Sequence, residues 1–167
     1  MMLQLALPIV VIGIINIVIG AICAAAERGL RGLLAFTCVS ELGLVLVGIG
    51  SVNSTALLGV VYQIMVFGLA LAGLVLFCGI MIERTGNSYF IDKKGVAVWG
   101  GLAVYAPALC IAVAIFMASV LGVPGLSGFI GRALIIIGSF IGHPVAIIIA
   151  VAATLVATYS FFRMFVY

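Results

Sequence analysis

One acid, Glu41, interrupts a long apolar stretch, between Ser40 and Leu42. In the middle of a membrane-spanning helix such a carboxylate costs about 2.5–3.5 kcal/mol on insertion scales, and ionisable groups at that depth usually mark ion or proton pathways. Burial also favours the protonated form of a carboxyl group, which suits proton exchange. Glu41 is therefore a candidate proton-relay residue. A carboxylate that pairs with an arginine or caps a broken helix would leave the same pattern.

Basic side chains supply further candidates for a proton path. Arg132 follows GLSGFIG. Because arginine stays protonated in proteins, this side chain holds a fixed charge that could tune a nearby acid such as Glu41 or bind water. Alternatively, it reaches the membrane interface or a neighbouring subunit. Arg31 lies at the entry to the second apolar segment, where one helical turn decides whether it is buried.

His143 precedes Pro144. Its imidazole can exchange protons near neutral pH, but a wetted loop histidine is the simpler interpretation. Uncharged polar side chains within the segments could hydrogen-bond water or adjacent helices: Thr37, Ser40, Tyr62, Gln63, Ser119, Ser139, Thr154 and Tyr159.

The composition indicates that these residues lie in a membrane protein. Of 167 residues, 67% are hydrophobic and 7% are charged, whereas soluble domains carry about a quarter charged residues. The apolar runs are unbroken and too long for barrel strands, so the backbone must satisfy itself in helices. The scattered net charge of +3 does not indicate nucleic-acid binding. We expect no metal, iron–sulfur or other cofactor site in this chain, because its cysteines lie singly in apolar segments without a nearby histidine: Cys23, Cys38, Cys78 and Cys110.

The apolar segments predict an all-α integral membrane protein, a single transmembrane helical domain over 1–167 with about six transmembrane helices. A crossing needs about 20 apolar residues. The glycine-rich GVPGLSG at 122–128 predicts a helix broken near 122–131, and 95–105 is weakly apolar and is expected to approach the membrane. The predicted segments are Leu3–Ala26, Leu33–Val52, Thr55–Ile82, Pro107–Leu121, Phe129–Ile141 and Val145–Tyr167.

The positions of the charged residues predict the topology. Lysines and arginines lie in the polar segments 27–32 and 83–94, whereas the turns near 53 and 122–128 carry no charge. With six spans, the positive-inside rule then places the segments 27–32 and 83–94 inside and both termini outside. Five spans with a re-entrant segment are the alternative.

Four stretches in order resemble one protein family. RGLLAFTCVSELGLVLVGIG (31–50), GLALAGLVLFCGIMIERTG (68–86), GGLAVYAP (100–107) and LGVPGLSGFIGRALIIIGSF (121–140) are similar to segments of the antiporter-like membrane subunits of respiratory complex I, and the Glu-Arg-Thr-Gly exit resembles subunit 4 (NADH-ubiquinone oxidoreductase chain 4). The resemblance implies part of an inverted-repeat bundle with a polar axis at mid-membrane. It also implies proton translocation coupled to NADH:ubiquinone electron transfer, which takes place in other subunits of this H+-translocating NADH:ubiquinone reductase.

The residues of that axis differ from the family pattern. Arg31 falls where the family has a lysine, and Arg132 falls where subunit 4 usually has a glutamate and sister subunits have a lysine. Glu41 and Phe67 both replace family histidines. Either Glu41 serves as the exchangeable group between Arg31 and Arg132, or this copy is a structural, non-pumping piece of the same arm.

The resemblance covers only the later part of a family member. It implies other complex I membrane-arm subunits as partners, and we expect a separate chain to carry the missing N-terminal helices, as for the C-terminal part of a split chain. Lipid, with cardiolipin as a candidate, is a further expected partner. A divergent, split subunit suggests the mitochondrial inner membrane, with a bacterial plasma membrane as the alternative. A subunit of a cation/proton antiporter is the rival function, because such proteins share these motifs.

Overall fold

A computed structural model describes the backbone of residues 2–86 and 107–166, and the side chains of residues 6–84, 86 and 107–159. These residues form six α-helices and confirm the all-helical membrane fold. The expected membrane approach at 95–105 lies outside the described residues. The helices are α1 (Met2–Ala26), α2 (Leu30–Gly50), α3 (Ser54–Thr85), α4 (Pro107–Leu121), α5 (Ser127–Phe140) and α6 (Pro144–Val166).

The long helices α1, α2 and α3 are each apolar and long enough to cross a membrane. Their outward faces carry large apolar side chains: on α3, Leu58, Met65 and Leu69 are 68%, 70% and 73% exposed. A helix satisfies its own backbone hydrogen bonds, so such faces are stable against lipid or another apolar helix. The bundle is therefore built for an apolar surrounding.

Glycines let α1 and α2 pack closely as an antiparallel pair. A Cβ on Gly13 would lie 2.8 Å from the Gly43 carbonyl oxygen, and a Cβ on Gly43 would lie 2.6 Å from the Gly13 oxygen. Small residues are the usual means by which membrane helices approach each other. This contact fixes α2 from one side and leaves Glu41 to face α3 and α5.

Two helix starts refine the sequence prediction. The second helix begins at Leu30, three residues before the predicted Leu33, so Arg31 lies in its first turn rather than in a loop. Asn53 caps α3 by accepting a hydrogen bond from the Thr55 amide at 3.1 Å. The Asn53 amide group also donates to the Gly138 carbonyl at 2.9 Å, which ties the start of α3 to the end of α5.

The helices α4 and α5 lie end to end along α3. A Cβ on Gly73 would lie 2.6 Å from the Phe116 ring in α4, whereas a Cβ on Gly138 in α5 would lie 2.5 Å from the Ala56 amide nitrogen. The chain therefore follows α3 backwards through α4, the turn at 122–126 (the break segment) and α5. The predicted break is confirmed, and it is narrower than expected because 127–131 is already helical.

The break segment lies beside the middle of α3, with Gly131 against Gln63 on one side of it and Phe116 against Gly73 on the other. The 14 residues of α5 extend only about 21 Å, short of the roughly 30 Å hydrocarbon core. This geometry favours the five-span alternative, in which α4 and α5 share one crossing and the break segment lies at membrane depth. In that arrangement α6 starts at the Asn53 end of the bundle and returns, so that its end lies opposite the start of α1. The sides of the membrane on which the termini lie stay a prediction.

Candidate functional site

A buried ion pair joins α2 to α5 at the level of the break segment. Glu41 lies near the middle of α2, with only 6% of its side chain exposed, and its Oε1 accepts from Nη2 of Arg132, whose side chain is 12% exposed. The structure thus brings together two of the residues singled out from the sequence. A charged pair at this depth must recover its lost hydration through well-placed hydrogen bonds.

The end of α4 supplies part of that compensation. Nη1 of Arg132 donates to the Leu121 carbonyl at 2.8 Å, and Nη2 also donates to the Val120 carbonyl. These carbonyls are free because the last four carbonyls of a helix have no partner within it, and that end carries a partial negative charge. Gly122 turns the chain away with φ +71. The guanidinium is therefore held by backbone oxygens as well as by Glu41.

Gln63 of α3 completes the cluster. Its side chain is almost fully buried, with the residue 2% exposed, and its Nε2 donates to Oε2 of Glu41 at 3.0 Å. A Cβ on Gly131 would lie 2.4 Å from Gln63 Oε1, so the glycine makes room for the amide. Among the described residues, Gln63 Oε1 and Arg132 Nε have no hydrogen-bond partner. We call Glu41, Gln63 and Arg132 the polar cluster.

A groove between α2 and α3 leads to the polar cluster. It consists of two adjoining cavities that are both lined by Cys38 and Leu71. Arg31 also lines the first, of about 380 Å³, and Glu41 and Gln63 line the second, of about 180 Å³. Along α2, ten residues separate Arg31 from Glu41, or about 15 Å. Arg31 is exposed and is not in contact with the cluster. It marks the far end of this α2–α3 groove.

A separate cavity, outside the α2–α3 groove, reaches Arg132 from the other side of α5. Its volume is about 330 Å³, and Gly122, Thr154 and Thr158 contribute to its lining. The two threonine hydroxyls donate to carbonyls of their own helix, at 2.8 Å each. The ion pair therefore lies between two cavities, one reaching Glu41 and one reaching Arg132.

The remaining candidate, His143, lies apart from the cluster. It occupies the turn after α5, where its backbone amide donates to the Ser139 carbonyl at 3.0 Å. Eleven residues separate it from Arg132, about 16 Å along a helix. Its proposed part in a proton path stays a prediction.

The sequence did not single out the role of Gln63 or of the two α4 carbonyls. Gln63 was one of several uncharged polar residues in apolar segments, and only the packing of α3 against α5 selects it. The four cysteines are free thiols. Within the described residues no three histidine, cysteine or acidic side chains come close enough to hold a metal ion, and the expected lack of a redox centre stays a prediction.

Comparison with known proteins assigns this arrangement to a family. Residues 1–158 match the family model described as "NADH:quinone oxidoreductase/Mrp antiporter, TM". NADH-quinone oxidoreductase subunit M of Pseudomonas aeruginosa is 39% identical over 140 residues, which is 83% of this chain and 26% of that protein. The chloroplastic NAD(P)H-quinone oxidoreductase chain 4 of Physcomitrium patens is 33% identical over 135 residues, 81% of this chain and 26% of that protein. This chain spans about a quarter of the length of these relatives.

The fold matches as well. A chain in the structure titled "Respiratory complex I from Thermus thermophilus with bound NADH" superposes with a TM-score of 0.87 at 26% identity, over 98% of this chain and 34% of that one. The resemblance first seen in four short motifs thus extends over the helices as folded. This integral membrane chain belongs to the NADH:quinone oxidoreductase/Mrp antiporter transmembrane family.

Proposed function

We propose that this chain forms part of an antiporter-like membrane-arm subunit of NADH:ubiquinone reductase and contributes to proton translocation coupled to electron transfer. In this proposal Glu41 takes up and releases the proton, and Arg132 sets its electrostatic surroundings. Other membrane-arm subunits are the partners. The family membership, and the names of the relatives, support the assignment to that complex.

One observation carries the mechanistic part. The acid that the sequence places in mid-helix is buried, is paired with an arginine, and lies beside a helix break inside the membrane. Non-helical backbone at membrane depth is tolerated where it is enclosed by protein or lines a water-filled cavity. Broken helices whose ends face a charged group are a recurring form of ion site in transporters.

The contacts of Arg132 explain how Glu41 could change its protonation state. If Glu41 becomes neutral, the guanidinium keeps its bonds to the Val120 and Leu121 carbonyls and the favourable end of the α4 dipole. The arginine therefore need not leave its position while the acid gains or loses a proton. Because arginine does not deprotonate, the proton moves on Glu41 alone.

The α2–α3 groove is the proposed access route to Glu41. It begins at Arg31, on the surface that also carries Glu27 and Arg28, and reaches Glu41 past Cys38. In this role Arg31 attracts anions and repels cations at the entrance, rather than relaying protons. Water in the groove would supply the proton path between the entrance at Arg31 and Glu41.

Replacing Glu41 by Gln tests the proposal. We expect the assembled complex in proteoliposomes to translocate fewer protons per NADH oxidised, because a neutral amide cannot carry a proton. The measurement is the ratio of proton uptake to NADH oxidation, with the amount of assembled complex determined in the same preparation. Glu83→Gln is the matched control, because it makes the same change at an exposed position near the end of α3.

The two rival functions predict different results. If Glu41→Gln leaves proton translocation unchanged in an assembled complex, the chain is a structural piece of the arm. If proton flux follows a sodium or potassium gradient and does not require NADH, the chain serves a cation/proton antiporter, the other class that the family description names.

The location of this chain and its polypeptide composition are part of the proposal. We propose an energy-transducing membrane; the relatives named above come from a bacterium and a chloroplast, and the mitochondrial inner membrane stays a prediction. The remaining helices of such a subunit lie on this or on another polypeptide. The intact mass of the polypeptide from purified complex distinguishes these two cases, and phospholipid analysis of the same sample tests for bound cardiolipin.

A further inference from the structure

We propose that the side-chain amide of Gln63 is a positioning group that turns over with the protonation state of Glu41, donating to the carboxylate through Nε2 and accepting from the neutral acid through Oε1. This inference rests on the proposed function of Glu41 as a group that exchanges protons. Gln63 itself neither gains nor loses a proton.

The first observation is an asymmetry in the hydrogen bonds of the amide. Nε2 donates to Glu41 Oε2 at 3.0 Å, but Oε1 of the same amide is buried and has no partner among the described residues. A buried polar atom without a partner costs about 1–3 kcal/mol. Such an atom in a native structure needs an explanation.

Protonation of Glu41 provides that explanation. Both carboxylate oxygens of Glu41 accept a hydrogen bond, Oε1 from Arg132 Nη2 and Oε2 from Gln63 Nε2. The guanidinium can only donate, whereas the amide can also accept, so we place the added proton on Oε2. The Oε2–H group would then face Nε2 of Gln63, and two donors would point at each other. Rotation of the amide by half a turn replaces Nε2 by Oε1, which accepts the new proton. The unpartnered oxygen is thus the acceptor needed in the other state.

The surroundings allow this rotation. The last torsion of a glutamine side chain is broad and roughly two-fold, so both orientations are accessible to the amide. Gly131 has no Cβ, and one placed there would lie 2.4 Å from Gln63 Oε1 and 3.0 Å from Gln63 Cα. The cavity of about 180 Å³ that reaches Glu41 also reaches Gln63. The amide oxygen therefore fits against Gly131 because that residue has no side chain, and the cavity provides open space beside the amide.

No other side chain that lines the cavity beside Glu41 could take this role. Arg132 faces the acid from α5 and only donates. The Cys38 thiol lies on α2 in the same cavity, and a thiol is a weak acceptor. The rest of that cavity's lining is apolar or glycine: Leu42, Val45, Ile64, Phe67, Gly68 and Leu71.

Infrared difference spectroscopy of the assembled complex, with and without NADH, tests the inference. The carbonyl stretch of protonated Glu41 is assigned as the band that disappears in Glu41→Gln. In Gln63→Met, a side chain of similar length that offers the acid no comparable acceptor, we expect this band to move to higher wavenumber, because the neutral acid has lost its acceptor. We also expect proton translocation per NADH to fall.

Gly131→Ala provides a second variant that keeps the glutamine. The added Cβ displaces Oε1 and obstructs the turn, so the same band should move in the same direction. Ser139→Ala is the control: Ser139 is fully buried on α5 and its hydroxyl has no hydrogen-bond partner within the described residues, but it lies outside the polar cluster. This variant should leave the band at its wild-type position.

The outcomes separate this inference from the proposed function. A Glu41 band that stays in place in both Gln63→Met and Gly131→Ala would overturn the role of the amide, while Glu41 would still exchange protons. The absence of any Glu41 band in the wild-type difference spectrum would instead overturn the proposed function and this inference with it.

Discussion

At the scale of single residues, the stability of the Glu41–Arg132 pair depends on acceptors and donors that surround it. Transfer of two charges from water into a low-dielectric interior costs several kcal/mol per ion, and their attraction repays this only with additional hydrogen bonds. The Gln63 amide and the carbonyls of Val120 and Leu121 provide them. Replacing one partner of the pair is therefore expected to cost more folding stability than replacing both charges by apolar side chains.

A double-mutant cycle tests that expectation. Arg132→Met leaves the Glu41 carboxylate buried with a single donor, which should destabilise the chain by about 3–5 kcal/mol. The double variant with Glu41→Leu removes both charges, and should be more stable than Arg132→Met alone. The melting temperatures of the assembled complexes provide the comparison. A double variant less stable than Arg132→Met would show that the unpaired Glu41 carboxylate is not the source of the instability.

The residues of the polar cluster differ in how far sequence predicts them. Glu41 is predictable because an acid in an apolar helix has a high cost that only a special environment offsets. Arg132 is predictable as a charge beside a glycine-rich break. Gln63 is not, because its contact with Glu41 spans 22 positions of sequence and depends on how α3 packs. The backbone carbonyls of α4 carry no sequence signal at all.

At the scale of elements, the break segment positions Arg132 through Gly122. This glycine has φ +71, and a Cβ there would lie 3.1 Å from both Cδ and Nη1 of Arg132. Gly122→Ala should therefore cost about 1–2 kcal/mol of backbone strain and also displace the guanidinium. We expect lower proton translocation per NADH, measured in proteoliposomes.

Gly86→Ala separates the displacement of Arg132 from the strain. Gly86 ends α3 with φ +66, but no described atom lies within 4 Å of its Cβ position. Both variants should lower the melting temperature, and only Gly122→Ala should lower the proton-to-NADH ratio. Equal loss of translocation in the two variants would mean that strain alone, rather than the position of Arg132, explains the effect.

Helix bounds follow closely from the sequence, whereas the depth of the break does not. Asn53 marks the start of α3 because its side chain can cap a helix. GVPGLSG indicates an interruption, but the same residues suit a turn at the membrane surface. Only the stacking of α4 and α5 against α3 places this interruption at mid-membrane.

At the scale of the whole molecule, the paths of the helices define two surfaces. The turn at 27–29 and the end of α3 lie on one side, and the turn at 51–53 lies on the other. Arg28 and Arg84 lie on the first side, which the positive-inside rule assigns to the interior. The hydrogen bond from Asn53 to Gly138 places the end of α5 on the opposite, outer surface.

Chemical labelling of single-cysteine variants tests this topology. In a chain whose native cysteines are replaced by alanine, a membrane-impermeant maleimide should label Arg28→Cys only from the inside and Ser54→Cys only from the outside. Pro124→Cys should react far more slowly than either, from both sides, because the break segment lies at membrane depth, far from both aqueous surfaces. All three should react equally after denaturation in detergent. If Pro124→Cys reacts as fast as Ser54→Cys from the outside, then α4 and α5 are separate spans joined at the surface, and Arg132 cannot lie beside Glu41 at mid-membrane.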